Sequence, residues 1–261
     1  MAKQRIGDLA LSRDGAVATL TIDRPAKLNA LANRFWADLR AALAVFETDG
    51  HTRVVILTGA GEKAFSAGGD IAGFAEMSGQ ETMRAFQLDA MAGFAAIERS
   101  RLPVIAAVNG LALGGGCELT LACDFAIASE NASFGMPEAA LGLIPGFGAI
   151  RAPEVIGRAM AKYMVATAER ISAQRAYEIG LVQKVVPQAA LMDEAYAIAA
   201  KVAANSPYAL SVGKRLMNRQ IDQTAFDYSV EAITVLQSSA DRAEGVAAFL
   251  EKRKPLFGGQ S

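Results

Sequence analysis

The sequence predicts an α/β fold that ends in an all-helical segment. Two short apolar runs, "RVVILTG" and "LPVIAAVNG", are rich in β-branched residues and read as buried, parallel-type strands. Each runs into a glycine-rich loop and then a helical stretch. From Leu191 onward only helical spacing remains. Hydrophobic residues make up 52% of the 261 and charged residues 20%, a globular balance, and the length suits one large domain, or a domain with an appendage, with a substantial core.

The elements follow in order. "LALSRDGAVATLTID" (Leu9 to Asp23) alternates apolar and polar residues around Asp14-Gly15, as a β-hairpin does. After the loop "RPAKLNAL", the segment Asn33 to Gly50 has helical apolar spacing, with Asn at its start and Gly at its end. Its Trp36 is expected in a core or interface rather than as a ligand platform. "RVVILTG" then feeds "GAGEKAFSAGGDIAGF", read as a glycine-rich loop. A long helix over Glu81 to Arg99 leads to "LPVIAAVNG", a triple glycine, another helix and a third strand, "DFAIAS". "ASFGMPEAALGLIPGFGAIRAPEVIG" is loop-rich with two short helical pieces. "AKYMVATAERISAQRAYEIGLVQKVVP" reads helix, turn, helix, strand, and three helical stretches complete the chain.

Composition removes several kinds of chemistry. The single histidine, His51, stands in the polar loop "TDGHTR", which argues against a His-based triad or a His-rich metal site. Acid–base work therefore falls to carboxylates, Lys, Tyr or thiols. Cys117 and Cys123 lie six apart in one apolar run and point to different helix faces, so they are expected as buried free thiols of a reducing compartment. A net charge of −1 gives no reason to expect nucleic acid or a membrane surface as partner. The start "MAKQRIGDLALS" has no signal-peptide pattern, and no run of about 18 apolar residues is uninterrupted, so a cytoplasmic protein is expected.

Three constellations stand out. The first is the pair of loops "AFSAGGD" (Ala64 to Asp70) and "LALGGGCE" (Leu111 to Glu118), each after a buried strand. Either alone is best read as a tight turn that packs a helix on a strand. Together they offer two backbone N–H donors to one oxygen, an oxyanion hole. Neither loop matches the dinucleotide or P-loop spacing. The second is Glu118 with Glu138, each near a helix start in an apolar setting. Spacing alone favours two partly exposed charges at helix N-termini. The alternative is two carboxyls on one pocket, which would run acid and base chemistry without histidine. Among other acids, Asp124 is expected to cap or pair after its helix, Asp70 to cap the segment after the glycines, and Glu98 to lie on a solvated helix face. The third is the basic cluster Lys252, Arg253 and Lys254, by default a solvated face and alternatively a contact for a phosphate-rich ligand.

Together these residues resemble the crotonase superfamily of enoyl-CoA hydratases and isomerases. The resemblance is carried by "LNAL", "KAFSAGGDI", "PVIAAVNGLALGGGCELTLACD", "ASFGMPE" with "LGLIPG", "RISAQRAYEIGLVQKVV" and "EGVAAFLEKRKP", in family order along nearly the whole chain. It implies a core of repeated ββα units over residues 1–195 and a helical segment over 196–261 that builds trimers or dimers of trimers. It implies an acyl-CoA thioester substrate and no cofactor, coenzyme A being part of the substrate. It assigns the thioester oxygen to the N–H groups of Gly69 and Gly115, and catalysis to Glu118 and Glu138. CoA contacts fall to Lys27, Ala67, Gly68, Asp70, Ile71 and Lys252, with no metal. Two glutamates match a hydratase, with a double-bond isomerase, a thioester hydrolase or a non-catalytic acyl-CoA binder as alternatives. Two departures stand out: "IAGF" follows Asp70 where many hydratases carry a Lys, and the loop Phe147 to Pro153 lacks the usual Gly-Gly or Gly-Thr pair.

Overall fold

The computed structural model describes residues 4–75, 77–218 and 223–256. The hairpin is present as β2 (Leu9–Asp14) and β3 (Val17–Ile22), with β1 (Gln4–Ile6) added at its edge. Helix α1 (Phe35–Thr48) follows, then β4 (Val54–Gly59), β5 (Ala64–Ser66), α2 (Ile71–Ala75) and α3 (Gln80–Arg99). Next come β6 (Val104–Val108), β7 (Leu111–Leu113) and α4 (Gly115–Ala122). After these lie β8 (Phe125–Ser129), β9 (Ser133–Gly135), a 3-10 turn (Pro137–Leu141) and α5 (Gly148–Val155).

One pattern organises these elements. The strands β4, β6 and β8 join a seven-stranded sheet of order β1-β2-β3-β4-β6-β8-β11, parallel from β3 onward, whose last strand β11 is Lys184–Val186. Each is followed by a three-residue strand, β5, β7 or β9, in a second sheet of order β10-β9-β7-β5, where β10 is Ile171–Ser172. A helical piece then closes each unit. This is the expected ββα repeat. The short strands, read from sequence as glycine-rich loop, are too brief to carry a period-2 signal.

Side-chain alternation splits the large sheet between two layers. Val55, Leu57, Val104, Ala106 and Ala126 face the main core with α1, α3 and α4. Val54, Ile56, Ile105, Ala107 and Ile127 face α8 (Leu191–Ala203), which presents Leu191, Ala195 and Ala199 at a spacing of four. The helices α6 (Arg158–Thr167) and α7 (Ala173–Glu178) lie between α5 and β11, and α9 (Pro207–Met217), α10 (Gln223–Gln237) and α11 (Ala240–Leu250) complete the helical end. Residue 195, the expected boundary, falls inside α8, whose apolar face belongs to the core.

Two ion pairs, each with a buried partner, tie distant segments together. Lys214 on α9 is 4% exposed. Its Nζ donates to Asp124 Oδ2 at 2.7 Å and to the Ile97 and Leu102 carbonyls at 2.8 and 3.0 Å, so Asp124 pairs, as one of its two expected roles had it. Glu98 corrects the sequence reading. It is not on a solvated face but 4% exposed, with Oε1 2.5 Å from Arg151 Nη2 of α5. Burial raises its carboxyl to about 6, against the pull of Arg151. Cys117 and Cys123 are buried and free.

Candidate active site

The site grows from the two glycine loops. Asn29 holds the first in place. It sits in the left-handed region (φ 56°) and is fully buried, and its Nδ2 donates to the Ala60 and Ala64 carbonyls at 3.0 and 2.7 Å. The Leu31 N–H donates to the Gly68 carbonyl at 2.8 Å, and the Asp70 N–H donates back to Leu31 O at 2.9 Å. The "LNAL" segment thus clamps Gly68 and Gly69 from both sides. Arg24 completes the clamp, its Nη2 donating to Asp70 Oδ2 at 2.9 Å and its Nη1 to the Ala30 carbonyl at 2.7 Å.

The second loop explains its run of glycines by space. Gly114 has φ 50°, and a Cβ there would lie 3.0 Å from Glu138 Oε1. A Cβ on Gly116 would run into the Ser66 carbonyl, so β5 and α4 pack this closely only with glycine. Gly115 opens α4, where the helix leaves its N–H without an internal acceptor. A Cβ on Gly115 would sit 3.9 Å from the Gly69 nitrogen, so the two loops meet. Among the described residues, neither the Gly69 nor the Gly115 N–H donates to a protein acceptor.

The carboxyls come to the same place by different routes. Glu118 lies in the first turn of α4 and is 7% exposed. The Gly148 N–H, at the start of α5, donates to its Oε1 at 2.7 Å. Burial pushes its carboxyl up to about 7, even though the Gly148 and Phe147 backbones favour its charged form. Glu138 follows Pro137 in the 3-10 turn. Its Oε2 is shut off from solvent and has no partner among the described residues. Burial first, and then the charge of Glu118, hold its carboxyl well above the ordinary range. The two therefore titrate as a pair in which Glu118, with its N–H donor, takes the charge and Glu138 keeps the proton. The partly exposed reading does not hold for Glu118; Glu138 is half-buried as a residue, with its Oε2 sealed.

Both carboxyls line a cavity of about 440 Å³ together with Ala67, Gly68, Gly69, Ile71 and Gly115. Most of the expected site is thus brought to one place. Lys27 and Asp70 lie outside the lining and bond each other at 3.2 Å. Partial burial alone would raise the Asp70 carboxyl, but the bonds from Arg24 and Lys27 outweigh it and hold it below its usual value. Lys252 is exposed, with φ 56°, and is not in the lining, although Phe249 three residues before it is.

The far wall of the cavity was not visible in the sequence. Trp36 is buried as expected, yet it also lines the cavity. Its ring meets Phe94 at 4.4 Å, and Phe94 stacks on Phe147 at 4.6 Å. Phe147 belongs to the atypical loop, so that departure supplies cavity wall. Ile233 and Gln237 of α10 and Phe249 of α11 close the same wall. Ile233 and Gln237 stand in a helix that carries no local motif, and packing against α3 and α5 brings α10 here.

An apolar cavity with this carboxyl pair, set on ββα repeats, can support acid–base chemistry on a crotonase-type frame. A sequence model of the family described as enoyl-CoA hydratase/isomerase matches residues 12–260. The short-chain-enoyl-CoA hydratase of Clostridium acetobutylicum is 44% identical over 95% of this chain and 97% of its own length. The crotonyl-CoA hydratase of Syntrophomonas wolfei is 40% identical over 96% and 97%. The crystal structure of an enoyl-CoA hydratase from Bacillus anthracis matches with a TM-score of 0.78 at 40% identity, covering 97% of this chain and all of that one. A carnitinyl-CoA hydratase from Mycobacterium avium gives 0.86 at 35% identity over 98% and 100%. The chain belongs to the enoyl-CoA hydratase/isomerase family.

Proposed function

We propose that the chain is an enoyl-CoA hydratase, a hydro-lyase that adds water reversibly across the 2,3 double bond of a 2-enoyl-CoA. The observation that carries this reading is the buried pair Glu118 and Glu138, one stabilised as carboxylate and the other as acid, on the cavity edged by Gly69 and Gly115. The relatives' names point to short acyl chains, crotonyl-CoA among them.

The chemistry follows from these environments. The thioester oxygen accepts from the Gly69 and Gly115 N–H groups, which stabilise the enolate-like charge that grows as the double bond is attacked. Glu118, ionised, takes a proton from water as its oxygen bonds C3. Glu138, protonated, gives its proton to C2. The product carries the water's OH at C3 and the proton of Glu138 at C2, the water's other proton stays on Glu118, and the two carboxyls have exchanged protonation states. In dehydration the roles reverse. Ala67, Gly68 and Ile71 contact the CoA portion, and Lys27 and Lys252 supply positive charge for its phosphates. The reaction as written calls on no cofactor and no metal.

Loss of the conjugated enoyl-thioester absorbance of crotonyl-CoA tests this. The pH profile of kcat/KM is expected to be bell-shaped. It rises on the acid side as Glu118 ionises and falls on the alkaline side as Glu138 loses its proton. A flat profile between about pH 5 and 9 would overturn the assignment of the two carboxyls. Turnover of 3-enoyl-CoA or release of thiol faster than hydration would favour an isomerase or a hydrolase instead.

The helical end is proposed to assemble trimers or dimers of trimers in the cytoplasm. It exposes large apolar side chains, with Tyr208 and Met217 each at 78% and Tyr228 at 75%. No helix among the described residues is long and apolar enough to cross a membrane. Sedimentation equilibrium is expected to give three or six times the chain mass, and a monomer at micromolar concentration would refute the assembly.

A further inference from the structure

Helix α5 begins with the N–H group that holds Glu118, yet it is short and its first turn has no side-chain cap. A helix of eight residues has little stability of its own and takes its position from what it packs on. Two pairs of side chains join that turn to α3. Phe147 stacks on Phe94 with 4.6 Å between ring centroids, and Arg151 Nη2 lies 2.5 Å from Glu98 Oε1. On each segment the two residues are four apart, so the pairs form one seam, with the Phe147 and Gly148 backbones that favour ionised Glu118 at its end. The Arg151 guanidinium also lies 6.0 Å over the Phe147 ring. Glu98 is a costly way to make such a seam. It is buried, its Oε2 has no partner among the described residues, and it stands at the C-terminal end of α3, where the helix dipole opposes a negative charge. A well-packed apolar pair of similar size would generally stabilise the fold as well or better. What an apolar pair lacks is direction, because a planar guanidinium fixes both the distance and the angle at which it meets a carboxylate.

We propose that Glu98 is a positioning residue for the hydration site, acting through Arg151 to hold the first turn of α5 with its Gly148 N–H on Glu118. The inference rests on the hydratase reading of the cavity. The charges facing Glu98 are Arg151 and Glu154 of α5 and Lys214 of α9. Arg151 pairs with both Glu98 and the exposed Glu154. With Glu98 neutral, Glu154 keeps its attraction and draws the guanidinium outward, off the Phe147 ring. The turn then loses its directional tether and shifts away from Glu118. The Gly148 and Phe147 backbones favour the charged form of Glu118 against its burial, with Glu138 as its charged neighbour, so weakening them makes that carboxyl harder to ionise. Glu98 itself touches no reacting atom and sets only how well the base is held.

Glu98→Gln removes the charge and keeps the size of the side chain. With crotonyl-CoA, kcat at its own pH optimum is expected to fall about tenfold, with KM little changed. The acid limb of kcat/KM is expected to move up by about one pH unit, as the charged form of Glu118 loses support. In Glu98→Gln/Arg151→Met both members of the ion pair are gone. The melting temperature is then expected to return toward the wild type, while kcat stays low and the limb stays displaced. Amide exchange over residues 147–151, followed by mass spectrometry without substrate, is expected to quicken in both variants. Recovery of kcat together with stability in the double variant would show a purely structural pair and overturn the proposal. An unmoved acid limb or unchanged amide exchange in Glu98→Gln would do the same. Failure of the hydratase reading appears instead as no hydration by the wild type, which leaves the exchange comparison intact.

Discussion

Replacing Glu118 or Glu138 by Gln is expected to lower kcat for crotonyl-CoA hydration by about 10²–10⁴-fold each, with KM little changed. Gln keeps the shape of the side chain and, at position 118, an oxygen for the Gly148 N–H. What it loses is the ability to take or give a proton in the transition state. Because the carboxyls act in one proton relay, the double variant is expected to be little worse than either single one. The same substitutions have an opposite effect on stability. Both carboxyls are raised by burial, so the folded protein holds their protons more tightly than the unfolded chain does. Stability from these groups is full below the unfolded carboxyl pKa of about 4.3 and is lost as pH rises through the folded values. Each Gln variant is therefore expected to melt above the wild type at pH 8 and alongside it near pH 4. Thermal unfolding at both pH values, with steady-state kinetics, checks the pair of effects. A variant that retains near-wild-type kcat would refute its catalytic role.

Arg151→Ala is expected to destabilise the protein by about 3–5 kcal/mol at pH 8, the range for breaking one side of a buried ion pair. Glu98 would be left in the core with its ion-pair partner gone, and its Oε2 already has no partner among the described residues. The second ion pair of Arg151, with Glu154, is at the surface and adds little. Glu98 already titrates near 6 because burial outweighs the attraction of Arg151. Without Arg151 its pKa rises further, so the variant recovers stability as pH falls and Glu98 becomes neutral. Catalysis is expected to suffer too, since Arg151 sits on the helix whose first residue, Gly148, holds Glu118. Melting temperature against pH and kcat against KM are the readouts. The double variant Glu98→Gln/Arg151→Met, which removes both charges, should regain much of the lost stability. An unchanged melting temperature in Arg151→Ala at pH 8 would show that the pair anchors nothing.

Glu98 illustrates where a sequence stops being informative. It stands beside Arg99 and Ser100 at the polar end of α3, on the same helix face as Met91, Phe94 and Ala95, but nothing in the sequence names the cation that lets a carboxylate be buried there. Its partner lies on a helix 53 residues later. The same holds for Gly148, Ile233, Gln237 and Phe249, each joined to the cavity by packing between elements far apart in the chain. The short strands β5, β7 and β9 were hidden for another reason. Three residues are too few for an alternating pattern, and their pairing partners are set by the neighbouring units.

The sequence alone was enough for β4, β6, the hairpin, the helical end and the placement of glycines directly before Glu118. These depend on residue identity and spacing within a few turns: β-branched runs that suit buried strands, and glycines where a side chain has no room. Tertiary structure decided which charges are buried, that Glu138 stands against Glu118, and that Gly148 stabilises one carboxylate and not the other. Desolvation and opposition between charges arise only when the chain has closed around them. The same two glutamates that spacing left as partly exposed helix-end charges become, once buried together, an acid and its base.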